Sequence, residues 1–332
     1  MKWRALLLAV LGALLVAGVL IGGVAWSWLH RPLPLAADTV EASIDFGTPP
    51  RDIAQRWVAA GVQASPIWLY EWFRWSGQSR RIRAGSYEIT RGTTPIELLR
   101  KMVRGDETLA VVRFNEGWTF RQVRAELARA EALKPLTTSM SDEDIMAAIG
   151  APGQSPEGRF HPDTYAYSKG SADLAVLKRA YRAMQKQLAA AWAERDPQTP
   201  LASPDEALIL ASIVEKETGL PIDRARIAGV FVNRLRIGMP LQTDPTVIYG
   251  LGPAFDGNLR KRDLQADTPY NTYTRAGLPP TPISMPGKLA LLAAVHPEPT
   301  KALYFVARGD GSSEFSDDLA AHNRAVNRYQ RK

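Results

Sequence analysis

An α+β protein is the fold class this sequence predicts: one N-terminal transmembrane helix, then a small α+β module, then a larger α+β domain. Three observations predict it. Ala5 to Trp28 runs for 24 residues without a charge. Beyond it, stretches alternating apolar and polar residues stand among stretches of helical period. Gly- and Pro-rich breaks separate them, with no low-complexity tract. At 332 residues the chain has room for two domains and a sizeable core.

The uncharged run has LLLAVLGALLVAGVLIGGVAW at its heart. As a helix it would be about 36 Å long, enough to cross the hydrocarbon core of a bilayer. Trp3, Trp26 and Trp28 stand at its ends as interfacial anchors. A cleaved signal peptide is the rival reading; the run is long for one, and no clear A-x-A site follows. Lys2 and Arg4 on the short side assign residues 1–4 to a cytoplasmic tail and 5–28 to the membrane, with everything after residue 31 outside it. His30 and Arg31 weaken that asymmetry. Arg31-Pro-Leu-Pro-Leu35 reads as a short stiff linker.

Residues 39–107 read as the small module. Val40 to Phe46 alternates like a strand, and Gly47-Thr-Pro-Pro50 breaks it. Arg51 to Ala60 and Pro66 to Trp75 follow as helices, Arg83 to Thr90 as a strand, and Thr94 to Val103 as a helix closed by Gly105. The aromatic stripe Trp68, Tyr70, Trp72, Phe73 and Trp75 reads as core, with a sugar-stacking or partner surface as the alternative.

The remainder, 108–332, opens with a strand, Leu109 to Phe114, and a helix from Phe120 to Glu131. An extended segment, Gly158 to Tyr165, and a long helix, Ala172 to Arg195, come next. Asp223 to Leu235 and Leu289 to Val295 are further helices, Ala302 to Ala307 a buried strand, Glu314 to Ser316 its partner, and Asp317 to Gln330 the last helix. Between them lie Gly238 to Gly250 and Tyr270 to Pro286. The second has no helical period and is rich in hydroxyls, amides, Gly and Pro, the mark of a functional irregular segment.

The net charge of +7, from 41 Lys+Arg against 34 Asp+Glu, suits an anionic surface or polymer without choosing one. Arg80 and Arg81 lie in a short basic run without interleaved aromatics, which argues against nucleic-acid binding. With no cysteine and four scattered histidines (His30, His161, His296, His322), no thiolate chemistry and no metal-ligand spacing is available, and no cofactor is expected.

The most informative stretch is SPDEALILASIVEKET, Ser203 to Thr218. Ser203 caps a helix, Pro204 takes its first position, and Glu206 falls where a capping box needs it. Ala207 to Val214 is apolar on nearly every face, so the helix is buried. On it stand Glu215, sharing a face with Leu208, Ala211 and Ser212, and Glu217, about 200° away beside Leu210 and Ile213. A carboxyl among apolar neighbours loses hydration, its pKa rises, and it becomes a proton donor at neutral pH. The plainer reading is a helix end whose glutamates reach solvent or pair with arginines. Helix geometry does not choose between the two glutamates.

ASIVEKET, FVNRLRIGMPLQTDPTVIYG, YNTYTRAGLPPTPISMPG, AVHPEP, LYFVA and HNRAVNRY, in that order, resemble the YceG-like endolytic murein transglycosylases, membrane-anchored bacterial lytic transglycosylases. The resemblance implies an N-terminal anchor in the cytoplasmic membrane with the N-terminus inside, a LysM-like module at 39–107, and a YceG-like catalytic domain at 108–332 outside. It implies internal cleavage of peptidoglycan glycan strands between N-acetylmuramic acid and N-acetylglucosamine. The products carry 1,6-anhydro ends, and the cut limits nascent strand length. Peptidoglycan synthases (penicillin-binding proteins) are the implied partners. The family's catalytic glutamate falls on the first Glu of VEKE, which is Glu215.

One carboxyl suffices for that chemistry: it protonates the glycosidic oxygen, then takes the proton of the C6 hydroxyl as that oxygen closes on C1. Gln242, Thr243, Asp244, Asn271, Thr272 and Tyr273 are candidates to orient the sugar, with loop-fixing hydrogen bonds as the alternative for each. A hydrolase using Glu215 with Asp244, and a catalytically silent wall-binding scaffold, are the competing functions.

Overall fold

A computed structural model describes residues 2–330. Met1 of the expected tail, and Arg331 and Lys332 at the end of the catalytic region, lie outside the described residues. The chain divides into two compact units, one of residues 1–110 with 166–171, the other of 111–165 with 172–332.

The first unit begins with α1 (Lys2–His30), which extends beyond both ends of the uncharged run. Its apolar side chains stand exposed around the helix, Leu11, Leu14, Leu15, Val19 and Ile21 among them, so no protein core accounts for their hydrophobicity. The segment from Val10 to His30 is long and apolar enough to cross a membrane. Then follow β1 (Thr39–Ile44), α2 (Pro50–Ala60), α3 (Pro66–Trp75), β2 (Gly85–Thr90) and α4 (Pro95–Arg104). β1 and β2 pair antiparallel, Thr39 opposite Thr90 and Ile44 opposite Gly85. The period of two puts Val40, Ala42, Tyr87 and Ile89 on one face, where Ile53, Trp57, Leu69, Phe73, Leu98 and Met102 cover them. Thr94 and Glu97 form a full capping box at the start of α4, and Gly105, left-handed, ends it.

Two expectations change here. The stretch after α1 is no free linker: Leu33 is buried, its N–H donates to the carbonyl of Thr93, and Leu35 bridges to Val62. The aromatic stripe of α3 is only partly core. Phe73 is buried, whereas Trp68 is 45% and Trp75 77% exposed.

The second unit is mostly helical, with two short strand pairs, β3 (Leu109–Arg113) with β4 (Thr164–Ser168) and β5 (Tyr304–Ala307) with β6 (Ser313–Ser316). The division between the units falls within β3, after Ala110, and within β4, after Tyr165. β5 is only partly buried, against expectation. The helices are α5 (Phe120–Arg129), α6 (Asp142–Ile149), α7 (Asp173–Ala193), α8 (Pro204–Glu217), α9 (Pro221–Arg236), α10 (Asp244–Leu251), α11 (Lys261–Gln265), α12 (Lys288–Val295) and α13 (Leu319–Tyr329). α8 is the centre: Ala207 through Val214 are all buried, wrapped by apolar residues of α7, α9 and α12. Ser203 Oγ caps α8 by accepting from Glu206 N–H, but the Glu206 carboxylate reaches Ala202 N–H, one residue before the position a capping box requires. Gly229 lets α9 approach the 297–300 segment, since a Cβ there would lie 2.5 Å from the carbonyl oxygen of Glu298.

Candidate active site

The buried run of α8 ends in two glutamates that the helix turns in different directions. On the Glu215 side, the segment 283–287 is stitched along the helix. Ile283 N–H donates to Ser212 Oγ (3.0 Å), Ser284 Oγ donates to the Ser212 carbonyl (3.0 Å), and Gly287 N–H donates to Glu215 Oε2 (2.9 Å). Arg224, in the first turn of α9, completes the set at 3.3 Å from Glu215 Oε1, with the two side chains only 8% and 5% exposed. Glu116 also approaches this point. The Glu116 carboxylate fills the space where a Cβ on Gly287 would stand. Burial raises the Glu215 pKa, with Glu116 adding to the rise, while Gly287 N–H and Arg224 oppose it. These direct partners are those of a charged carboxylate.

Glu217 lies on the other side. Thr243 Oγ1 donates a hydrogen bond to its carboxylate. Among the described residues no ion pair involves it; Arg234 lowers its pKa only from a distance, while bonding the carbonyls of Leu303 and Leu241. Burial first, and the charge of Asp244 second, push its pKa up to about 7. The protonated and charged forms are therefore both within reach near neutral pH.

The candidate sugar-orienting residues assemble on the Glu217 side. Gln242 is exposed and left-handed at φ 48°, unusual for a residue with a Cβ, and its N–H donates to the Thr272 carbonyl. Thr243 N–H donates to Thr272 Oγ1, which also bonds Thr246 Oγ1, so Thr243, Thr246 and Thr272 form a buried hydroxyl network. Asn271 is fully buried: its amide donates to the carbonyls of Leu264 (3.0 Å) and Ala266 (2.7 Å) and accepts from Tyr273 N–H. Asn271 and Thr272 thus spend their polar groups on the loops. Tyr273 OH donates to Asp244 Oδ1 at 2.6 Å; Asp244 is exposed and Tyr273 half-buried, both beside Glu217. Gln242, Asp244 and Tyr273 are the three whose polar groups remain open to a ligand.

A cavity of about 1100 Å³ adjoins this corner, lined by Lys216, Glu157, Pro245, Tyr249, Phe255 and Tyr270 among others. Its volume lies at the upper end of the range of ligand-binding clefts. Neither Glu215 nor Glu217 lines it, but their shared neighbour Lys216 and the neighbour of Asp244, Pro245, do. Its wall holds a residue that sequence reasoning missed. Glu157 accepts from Phe120 N–H (3.0 Å) and Tyr249 OH (3.1 Å), and burial pushes its pKa up to about 7. In the sequence Glu157 is one charged residue of a Gly- and Pro-containing loop, and nothing local marks it. Arg224 was equally unmarked, being the cation that a turn of chain brings back beside Glu215.

The family model described as the YceG-like family matches residues 42–328. An endolytic murein transglycosylase of Bacillus subtilis is 31% identical over 264 residues, 74% of this chain and 73% of the relative. One from Streptococcus pneumoniae is 26% identical over 280 residues, and there the match spans 74% of this chain but about half, 50%, of the relative. Among solved structures, a YceG-like protein from Listeria monocytogenes superposes with a TM-score of 0.58 at 28% identity, covering 86% of this chain and 98% of that one.

Proposed function

The chain belongs to the YceG-like family, and we propose that it is a membrane-anchored endolytic lytic transglycosylase acting on the glycan strands of peptidoglycan. We assign the proton transfers to Glu217, in place of the Glu215 that the family resemblance implies. The observation that carries this is the contrast between the two carboxyls. Glu215 is bonded by a guanidinium and a backbone N–H, partners of a charged group. Glu217 is raised to about 7 and stands beside the open polar groups of Asp244 and Tyr273.

Protonated Glu217 gives its proton to the oxygen joining C1 of N-acetylmuramic acid to N-acetylglucosamine, and that bond breaks. The resulting carboxylate accepts the proton of the C6 hydroxyl while the C6 oxygen bonds to C1. The product is a 1,6-anhydro sugar, and no water is consumed. Thr243 orients Glu217, Asn271 and Thr272 hold the loops, and Gln242, Asp244 and Tyr273 orient the sugar, the Asp244 charge also favouring positive charge at C1. An acid whose pKa lies near neutral pH suits both transfers, since it must first give and then take.

The exposed apolar surface of α1 supports a single-pass anchor, with Lys2 and Arg4 inside and residues after 31 outside the cytoplasmic membrane. The compact strand–helix–helix–strand arrangement at 39–107 supports a separate LysM-like module with a positioning role. Catalysis then belongs to 108–332. Such an enzyme would limit strand length next to the synthases that extend the strands.

Mass spectrometry of products from the full chain tests the activity. Wild type should release 1,6-anhydro ends and Glu217→Gln almost none. Free reducing ends would mean a hydrolase, and no cleavage by wild type a scaffold.

A further inference from the structure

The end of α1 is sewn into the first unit. Trp28, in its last turn, packs edge-on against Trp68 of α3, with ring centroids 5.5 Å apart. Beyond His30, Leu33 enters the core and bonds Thr93, Gln63 N–H reaches the Pro34 carbonyl, and Ala36 N–H reaches the Gly61 carbonyl. With so many attachments within a few residues, the unit does not swing on a tether. Whatever depth α1 takes in a bilayer, the surface around Trp68 is held at a fixed height above it.

That surface is apolar and open. Ile67 is 68% exposed and Trp68 45%. The uncharged run ends at Trp28, so Trp28 and the ring beside it fall at the boundary of hydrocarbon and water. Indole rings favour that boundary, with an apolar body and one N–H donor. The carboxylate on the same face of α3, Glu71, is paired with Arg74 at 3.4 Å and accepts the Trp75 indole N–H at 3.0 Å. It therefore does not confront lipid phosphates as a free charge. The patch adjoins α1 through the Trp28–Trp68 contact, which distinguishes it from an isolated apolar spot.

We propose that the first unit rests on the bilayer through Ile67 and Trp68, the lipid being the leaflet from which α1 emerges. This rests on reading α1 as a membrane span. The unit would then be a fixed foot on the membrane surface.

The chain has no cysteine, so single-cysteine labelling is clean. Val16→Cys, Ile67→Cys and Phe46→Cys, each in the full chain, are labelled with an environment-sensitive fluorophore and reconstituted into phosphatidylcholine–phosphatidylglycerol nanodiscs. The lipids carry quenchers at shallow or deep positions. All three sites are exposed, so the substitutions should not disturb folding. Phe46 follows β1, about 23 Å of extended chain from Thr39. The expected result is deep quenching at Val16, shallow quenching at Ile67 several-fold above that at Phe46, and a blue shift at Ile67. Quenching at Val16 with Ile67 no different from Phe46 would overturn the foot and leave the span intact. Loss of quenching at Val16 would instead remove the span, and the foot with it. A response at Ile67 only on addition of glycan strands would make the patch a sugar contact and refute the lipid assignment.

Discussion

Replacing Glu215 by Gln separates a structural carboxylate from a catalytic one. Glu215 and Arg224 form a pair whose side chains are 5% and 8% exposed, and Arg224 Nε has no hydrogen-bond partner among the described residues. Gln at 215 keeps a carbonyl oxygen for Gly287 N–H but leaves the guanidinium buried and uncompensated. Breaking a buried pair in this way costs about 3–5 kcal/mol, a large part of the 5–15 kcal/mol that holds a typical domain together. Glu215→Gln should therefore lose activity by losing stability. Removing both charges, as Glu215→Gln with Arg224→Met, avoids the stranded cation and should return most of the melting temperature. The assay is thermal unfolding of each full-length variant beside its rate of anhydro-end release. If Glu217 is the acid, the double variant regains cleavage along with folding, while Glu217→Gln folds normally and loses at least ~10²-fold in rate. A double variant that melts like wild type yet cleaves nothing, together with an active Glu217→Gln, would refute the assignment and make Glu215 the acid.

The rate should also follow Glu217 in pH. The acid must start protonated and its pKa is about 7, so kcat/KM should fall ~10-fold per pH unit above that value, and a profile flat to pH 9 would count against it. Stability should fall as pH rises over a lower range, between the unfolded and folded pKa values of such a group. A Glu raised from 4.5 to about 7 on folding keeps its full contribution below its unfolded pKa and loses about 3 kcal/mol as pH rises through 7. Glu157→Gln should abolish one such loss, so that melting curves at pH 5 and pH 9 lie closer together than in wild type. Gly158→Ala should destabilise by about 1–3 kcal/mol by thermal or urea unfolding, because its φ is +79° and the new Cβ would lie 2.4 Å from Pro282 Cβ.

What could be read in advance follows a physical divide. Elements set by periodicity and capping were legible: Ser203, Pro204 and the apolar run fixed α8, and Thr94 with Gly105 fixed α4, because those signals act within a few residues. The irregular stretch from 270 to 286 was legible as a candidate site because it lacked any period. Arg224 beside Glu215 and Tyr249 beside Glu157 were not, since such pairs depend on how helices pack after they form. The same limit hid the attachment of Leu33. A Pro-Leu-Pro sequence reads as a spacer unless one knows that Thr93 and Val62 wait beside it. Asn271 shows the limit within a site. Its residue type suited sugar binding, but only the fold reveals that its amide is committed to carbonyls of residues 264 and 266.

The end of a buried helix is a good place for an acid that must be neutral before it acts. Glu217 is the last residue of α8, where carbonyl groups without partners give the helix its negative end. That field opposes a carboxylate, in the same direction as burial and Asp244. Two turns earlier a glutamate would have no route to a ligand, because every face there is packed. One turn later the chain has left the helix, and the core no longer fixes its side chains. Glu215, two residues back, is raised as well, with Arg224 and Gly287 N–H opposing the rise. On the proposed assignment, the same helix holds one carboxyl as the partner of Arg224 and the other as the proton store. The difference lies in what α9 and residues 283–287 bring to one face, and what Thr243 brings to the other.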